Sequence, residues 1–317
     1  MRFYLLFGLV TAASFAAGAV LCASLVTAAW PRLRRRLPPT AGRRARRLAA
    51  LRLAPVTCGA VAALILAGNF LRYEPRGTTE DPGLLLLLGA AVTVTLIAGA
   101  GRRLLASAQT ARHCRRLVRD CGARAAAPDG RTLWVVETDY PVAAVMGVLD
   151  THILLSRRIL SECTDAEVAC VVRHESAHIR RRDNLVQAAM RFLPDPLAHT
   201  TTGGAIQQAW ADAAEEAADD LAASDPAERT DLASALVRVA GMADSRPPRW
   251  MPALTFFEQT TVESRVRRLL LSGPSEAGPL RWLPAALLAA ATAFAVSTEA
   301  FGLRLHALME LAVQALP

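Results

Sequence analysis

Residues 164–183 read TDAEVACVVRHESAHIRRRD, and two patterns overlap in them. Thr164 with Glu167 three positions on is a capping box, the start signal of a helix. Inside that helix, His174-Glu175-Ser176-Ala177-His178 has the form H-E-x-x-H. Four residues is close to one helical turn, so both imidazoles project from one face and can reach one Zn²⁺. Glu175, beside the first imidazole, can hold a water on that ion and take its proton. Val168, Val171 and Val172 supply the apolar face. The helix is expected to run on toward Met190 and to end at Phe192-Leu193-Pro194-Asp195-Pro196.

A catalytic zinc needs a third protein ligand and an open position. Extending the motif puts Arg181 and Asn184 where the H-E-x-x-H-x-x-G-x-x-H pattern has its Gly and last His, so that class is excluded. A later Ala-rich stretch, Trp210 to Asp220, offers Glu215 and Asp219 on one helical face. Glu215 is the expected third ligand, with Asp219 hydrogen-bonding a ligating histidine. The frame one residue later, Glu216 and Asp220, has the same spacing, and His199 competes as a ligand from a loop. Tyr140, His199 and Arg229 are the candidates for stabilising an oxyanion, with nothing to rank them.

The surroundings are those of a membrane protein. The chain has 317 residues, 53% of them hydrophobic but only 5% aromatic. Mean hydropathy is +0.27. Four uncharged blocks stand out: 3–30, 54–71, 84–100 and Leu283–Thr298. A span needs about 20 apolar residues, so the last two are short, and 283–298 also fits a buried core helix. The first block is long for a signal-peptide core, and Leu21 before Cys22 is wrong for a lipoprotein, so it reads as a retained span.

All 36 basic residues are arginine, against 28 acids. Nine fall in 31–53 without an acid, and seven in 102–124 with only Asp120. Arginine-rich segments beside spans stay in the cytoplasm. The N-terminus is then outside, and 102–280 lies in the cytoplasm between spans 3 and 4. Residues 281–317 hold the fourth span and a short tail. Segment 31–53 lacks the interleaved aromatics of a nucleic-acid site, so no direct nucleic-acid partner is expected. Six cysteines show no C-x-x-C spacing and read as packing residues.

Within 102–280 we expect a helix over Arg102–Arg124 and strands at Thr132–Val136, Val142–Val145 and His152–Leu155. An Ala-rich helix is expected after Gly203-Gly204. Further helices start at Asp225-Pro226 and near Thr260–Glu263. The fold class is a mainly α membrane protein: four transmembrane helices, with a cytoplasmic α+β metallopeptidase domain inserted between spans 3 and 4.

These residues resemble a known group. His174–His178 with Glu215-Glu216-Ala217-Ala218-Asp219 is similar to the gluzincin arrangement of integral-membrane peptidases, nearest to the BlaR/MecR-type antirepressor metallopeptidases. The lead-in Pro141–Gly147 and Ile153–Ser156, the continuation through Asp183, and the late helix Glu263–Leu270 resemble the same family. The resemblance implies a cytoplasm-facing zinc endopeptidase that cleaves a partner transcriptional repressor, often of winged-helix type. Those sensors carry a penicillin-binding domain after the last span. Here only residues 300–317 follow, and without lysine the chain cannot supply S-x-x-K, so β-lactam sensing is not expected. Two rivals stand beside this: an HtpX-like protease for membrane-protein quality control, and a non-catalytic signalling scaffold with a structural zinc.

Overall fold

The computed structural model describes residues 2–76, 81–126, 132–242 and 262–271, with positions 303, 304 and 307. The expected fourth span at Leu283–Thr298 and most of the tail lie outside the described residues. Three long helices come first: α1 (Arg2–Leu33), α2 (Ala41–Tyr73) and α3 (Leu84–Cys121). Each is long and apolar enough to cross a membrane. Small residues let them approach. A Cβ on Gly18 would stand 2.9 Å from Ala62 Cβ and 3.0 Å from the Cys58 carbonyl, the kind of contact that joins helices where lipid offers no hydrophobic drive.

The basic segment 31–53 is mostly helix. Only a 3-10 turn (Arg34–Arg36) and four further residues separate α1 from α2, and residues 41–53 form the first turns of α2. Arginine and alanine are good helix formers, so the charge that marks a topological loop does not break the helix. Likewise α3 passes without a break from its apolar half into the arginine-rich half.

Four strands follow: β1 (Gly122–Ala126), β2 (Thr132–Val136), β3 (Ala143–Met146) and β4 (His152–Ser156). The sheet order is β1-β2-β4-β3, with β2 and β4 parallel and the other pairs antiparallel. The three expected strands are present; β1 is additional, paired residue for residue with β2. In β4, Ile153, Leu154 and Leu155 are 1% exposed or less. Leu154 faces a cluster with Val136, Val142 and Ala144, while Ile153 and Leu155 face Val171 and Val172.

Those valines lie on α5 (Asp165–Arg181), which follows a short helix, α4 (Arg157–Glu162). The α5 capping box is formed: Thr164 Oγ1 accepts from the Glu167 amide at 3.3 Å, and Glu167 accepts from the Thr164 amide at 2.8 Å. Glu167 also accepts from Ser234 at 2.5 Å. Burial alone would raise its carboxyl, but these hydrogen bonds and Arg238 hold it below the usual range. Replacing Thr164 by Ala is expected to cost about 1 kcal/mol, read as a lower melting temperature in detergent; an unchanged melting point would contradict the cap's contribution.

The helix does not continue to Met190. Arg182 adopts a left-handed conformation, φ 57°, and α6 (Asp183–Phe192) starts in a new direction. A 3-10 turn (Pro196–His199) leads to α7 (Thr201–Ala222), which starts before the Gly pair rather than after it. A Cβ on Gly203 would run into the Leu197 carbonyl, so glycine lets α7 sit on that turn. Then come α8 (Pro226–Gly241), capped by Asp225 as expected, and α9 (Val262–Leu271).

One core joins α1 and α2 to the rest, while Val118 of α3 packs in the cluster with Val136 and Leu154. Ala23 of α1 and Leu48 of α2 cluster with Met190, Leu197, Ile206, Trp210 and Ala214. Two ion pairs reinforce it: Arg52 with Asp195, both about 1% exposed, and Arg44 with Glu216. α7 thus rests on the basic half of α2.

Candidate metal centre

α5 brings His174 and His178 one turn apart, their Nε2 atoms 3.2 Å from each other. α7 crosses it and adds Glu215. Its Oε2 is 3.4 Å from His174 Nε2, and its Oε1 3.4 Å from His178 Nε2. These three form the one group among the described residues with the composition and spacing to hold a metal ion. A tetrahedral ion with ligand bonds of about 2.0–2.1 Å needs donors about 3.3 Å apart. The Nε2–Nε2 separation matches that value, and each imidazole has one Glu215 oxygen at the same spacing, Oε2 for His174 and Oε1 for His178.

The outer ring nitrogens agree. Asp219 Oδ1 lies 3.0 Å from His174 Nδ1, and Asp183 Oδ2 lies 2.9 Å from His178 Nδ1. An ionised carboxylate only accepts, so each Nδ1 carries the hydrogen and each Nε2 presents its lone pair to the centre. Two lone pairs converging with a carboxylate call for a cation between them. Without a cation there, the same carboxylates draw protons onto the rings instead. Burial alone would push both imidazoles down, yet the carboxylates beside them raise both, His178 to about 10.

Glu175 is also buried. Burial pushes its carboxyl up, while His174 and His178 pull it down. Burial prevails, and a carboxyl held above its usual range next to a ligand is suited to taking and returning a proton.

Sequence reasoning missed two members of the site. Asp183 is the first residue of α6; the turn at Arg182 brings it back onto His178, and Arg181 Nε donates to the same oxygen at 3.0 Å. Arg265 of α9 is the other. Its Nε and Nη2 grip Asp219 at 3.0 and 2.6 Å, and its Nη1 is 2.8 Å from Glu215 Oε2. Burial would lower the guanidinium, but the two acids hold it above its ordinary value. In return Arg265 keeps Glu215 and Asp219 ionised against their burial. The sequence marks a helix starting near Thr260–Glu263, but nothing in it singles out Arg265 from Arg267 and Arg268.

The rival assignments find other places. Glu216 and Asp220 are engaged elsewhere: the Glu216 carboxylate pairs with Arg44, and Arg268 donates to Asp220 Oδ1 at 2.7 Å. His199 is exposed on its 3-10 turn. Tyr140 packs on the sheet face away from α5. Arg229 is buried and donates to the Leu269 carbonyl at 2.9 Å, closing the end of α9.

Replacing Asp183 by Asn keeps the shape but weakens the hold on His178 Nδ1–H. Metal affinity is expected to fall about 10–100-fold, measured by competition with a chelating dye; an unchanged affinity would remove Asp183 from the site.

Residues 108–246 match peptidase family M48. The match covers His174, His178 and Glu215, and it indicates a metallopeptidase. It begins after α1 and α2 and ends before α9, so the basic half of α2 and Arg265 lie outside it. No curated protein and no solved structure matches the chain.

Proposed function

We propose that the protein is a membrane-embedded zinc endopeptidase that hydrolyses peptide bonds of a cytoplasmic protein. The observation that carries this is the convergence of His174, His178 and Glu215 within metal-ligand spacing, with the buried Glu175 carboxyl close enough to feel the charge of all three. Two imidazoles and one carboxylate, with no thiolate, are a donor set typical of catalytic zinc. Zinc, when bound, supplies Lewis acidity. His174, His178 and Glu215 hold it. Asp219 and Asp183 keep both Nδ1 atoms protonated and both rings oriented. Glu175 takes a proton from the attacking water onto a carboxylate oxygen and returns it to the leaving amine nitrogen.

β3 is an edge strand and packs against α5, so it is the strand available to an extended substrate. Asn184 already donates to the Val145 and Gly147 carbonyls, at 3.0 and 2.7 Å, which leaves Ala143 as the place for pairing.

The arginines at the ends of α1–α3 support a multi-pass orientation with the peptidase in the cytoplasm. The finer substrate assignment, a partner winged-helix repressor cut in an antirepressor role, rests on the sequence resemblance. HtpX-like quality control is the alternative.

The test uses the full chain purified in detergent. It should retain one zinc per chain and cut an unstructured protein. A chelator should stop the cutting and added zinc restore it. Hydrolysis indifferent to chelation would overturn the proposal. In cells lacking the protein, accumulation of one cytoplasmic repressor supports signalling; accumulation of many membrane proteins supports quality control.

A further inference from the structure

The three long helices can be aligned by their contacts. Gly18 of α1 meets Cys58 and Gly59 of α2, and Gly89 of α3 meets Ala13 of α1. Thr93 donates to the Ala12 carbonyl at 2.7 Å. α2 runs antiparallel to α1, and α3 parallel to it. Stepping along the helices from these contacts puts Ala23 of α1 level with Ala54 of α2 and with residues 99–104 of α3. Ala54 begins the uncharged run of α2, and Ala100 ends that of α3. Two independent runs therefore place one edge of the apolar slab at the same height. From Phe3 to Ala23 is 21 residues, about the 30 Å of a hydrocarbon core.

α1 remains uncharged for seven more residues, to Trp30, about 10 Å past that edge. This overhang is where the peptidase domain packs: Ala23 and Val26 share a core with Met190 and Leu197, and Trp30 lies against it. At the edge itself, Arg103 Nε donates to the Arg191 carbonyl at 2.8 Å, and Arg52 is paired with Asp195. The corner between α6 and α7, residues 191–200, is therefore level with the end of the hydrocarbon. It exposes Leu193 at 38%, next to exposed Arg191.

We propose that this corner is a membrane-contact surface of the peptidase domain. Leu193 enters the boundary between acyl chains and headgroups, and Arg191 meets the phosphates of that leaflet. A large side chain beside a cation, continuous with the span ends, has the composition of an interfacial anchor. The inference rests on α1–α3 crossing a bilayer, and not on the identity of the substrate. It sets the height of the metal site. α7 rises from the corner along α2, with Trp210 beside Leu48 and Glu216 on Arg44. Arg44 is ten residues from Ala54, so Glu215 stands about 15 Å above the hydrocarbon edge.

The test reconstitutes the full chain in vesicles of phosphatidylcholine and phosphatidylglycerol, with the phosphatidylcholine brominated near the headgroup end of its acyl chains. Leu193→Trp is compared with the parent chain, and with Leu149→Trp, at an 89% exposed position on the β3–β4 turn. The fluorescence added at 193 should be largely lost, and that added at 149 retained. Equal emission at the two positions would overturn the proposal. Because quenching needs no hydrolysis, it separates this inference from the peptidase reading.

Discussion

Glu175→Gln is expected to reduce peptide hydrolysis by about 10²–10⁴-fold while leaving metal content unchanged. The glutamine has nearly the same shape, so the packing of a side chain only 7% exposed is kept. It cannot accept a proton, and that is the role assigned to the carboxylate. Metal retention follows from geometry. The group that can hold a metal ion is His174, His178 and Glu215, and Glu175 is not in it. The measurement pairs single-turnover hydrolysis with metal analysis on the same sample. Undiminished hydrolysis would sink the general-base role. Loss of metal together with activity would place Glu175 in the ligand set. A scaffold with a structural zinc makes a different forecast: its function survives this substitution.

What the sequence revealed follows from the range of the interactions. The capping box, the one-turn spacing of His174 and His178, and the single face shared by Glu215 and Asp219 are local, and local periodicity carries them. Three strands were legible from short runs such as HILL at 152–155. β1 was not, because Gly-Ala-Arg-Ala-Ala has no β-branched residue and becomes a strand only by pairing with β2. The break at Arg182 was hidden for another reason. It has neither Gly nor Pro, and the residues beyond it keep a helical pattern, so only the turn itself shows that Asp183 comes back to His178. Charge counting marked 41–53 as a membrane-flanking segment but is blind to what that segment touches. Arg44 meets Glu216 across 172 positions of chain, and no pattern in either stretch announces it.

Arg265 makes the same point with a larger consequence. It sits 46 residues from Asp219, on a helix whose other arginines are indistinguishable from it in sequence. It is the cation that balances two buried acids, Glu215 and Asp219. Removing one partner from a buried ion pair costs about 3–5 kcal/mol, because the remaining charge stays out of water. Arg265→Gln is therefore expected to lower the stability of the metal-free protein by about that amount. Zinc should offset much of the loss, since a bound dication supplies positive charge to Glu215 where the guanidinium did. Ligand that binds only the folded state adds stability by mass action, and in the variant it also relieves the unbalanced acid. The expected result is a wide gap between the melting temperatures of variant and wild type in chelator, and a narrower gap in excess zinc. If the variant folds only with zinc, the same conclusion holds in its extreme form. A metal-free variant that melts with the wild type would show that Arg265 does not balance these acids.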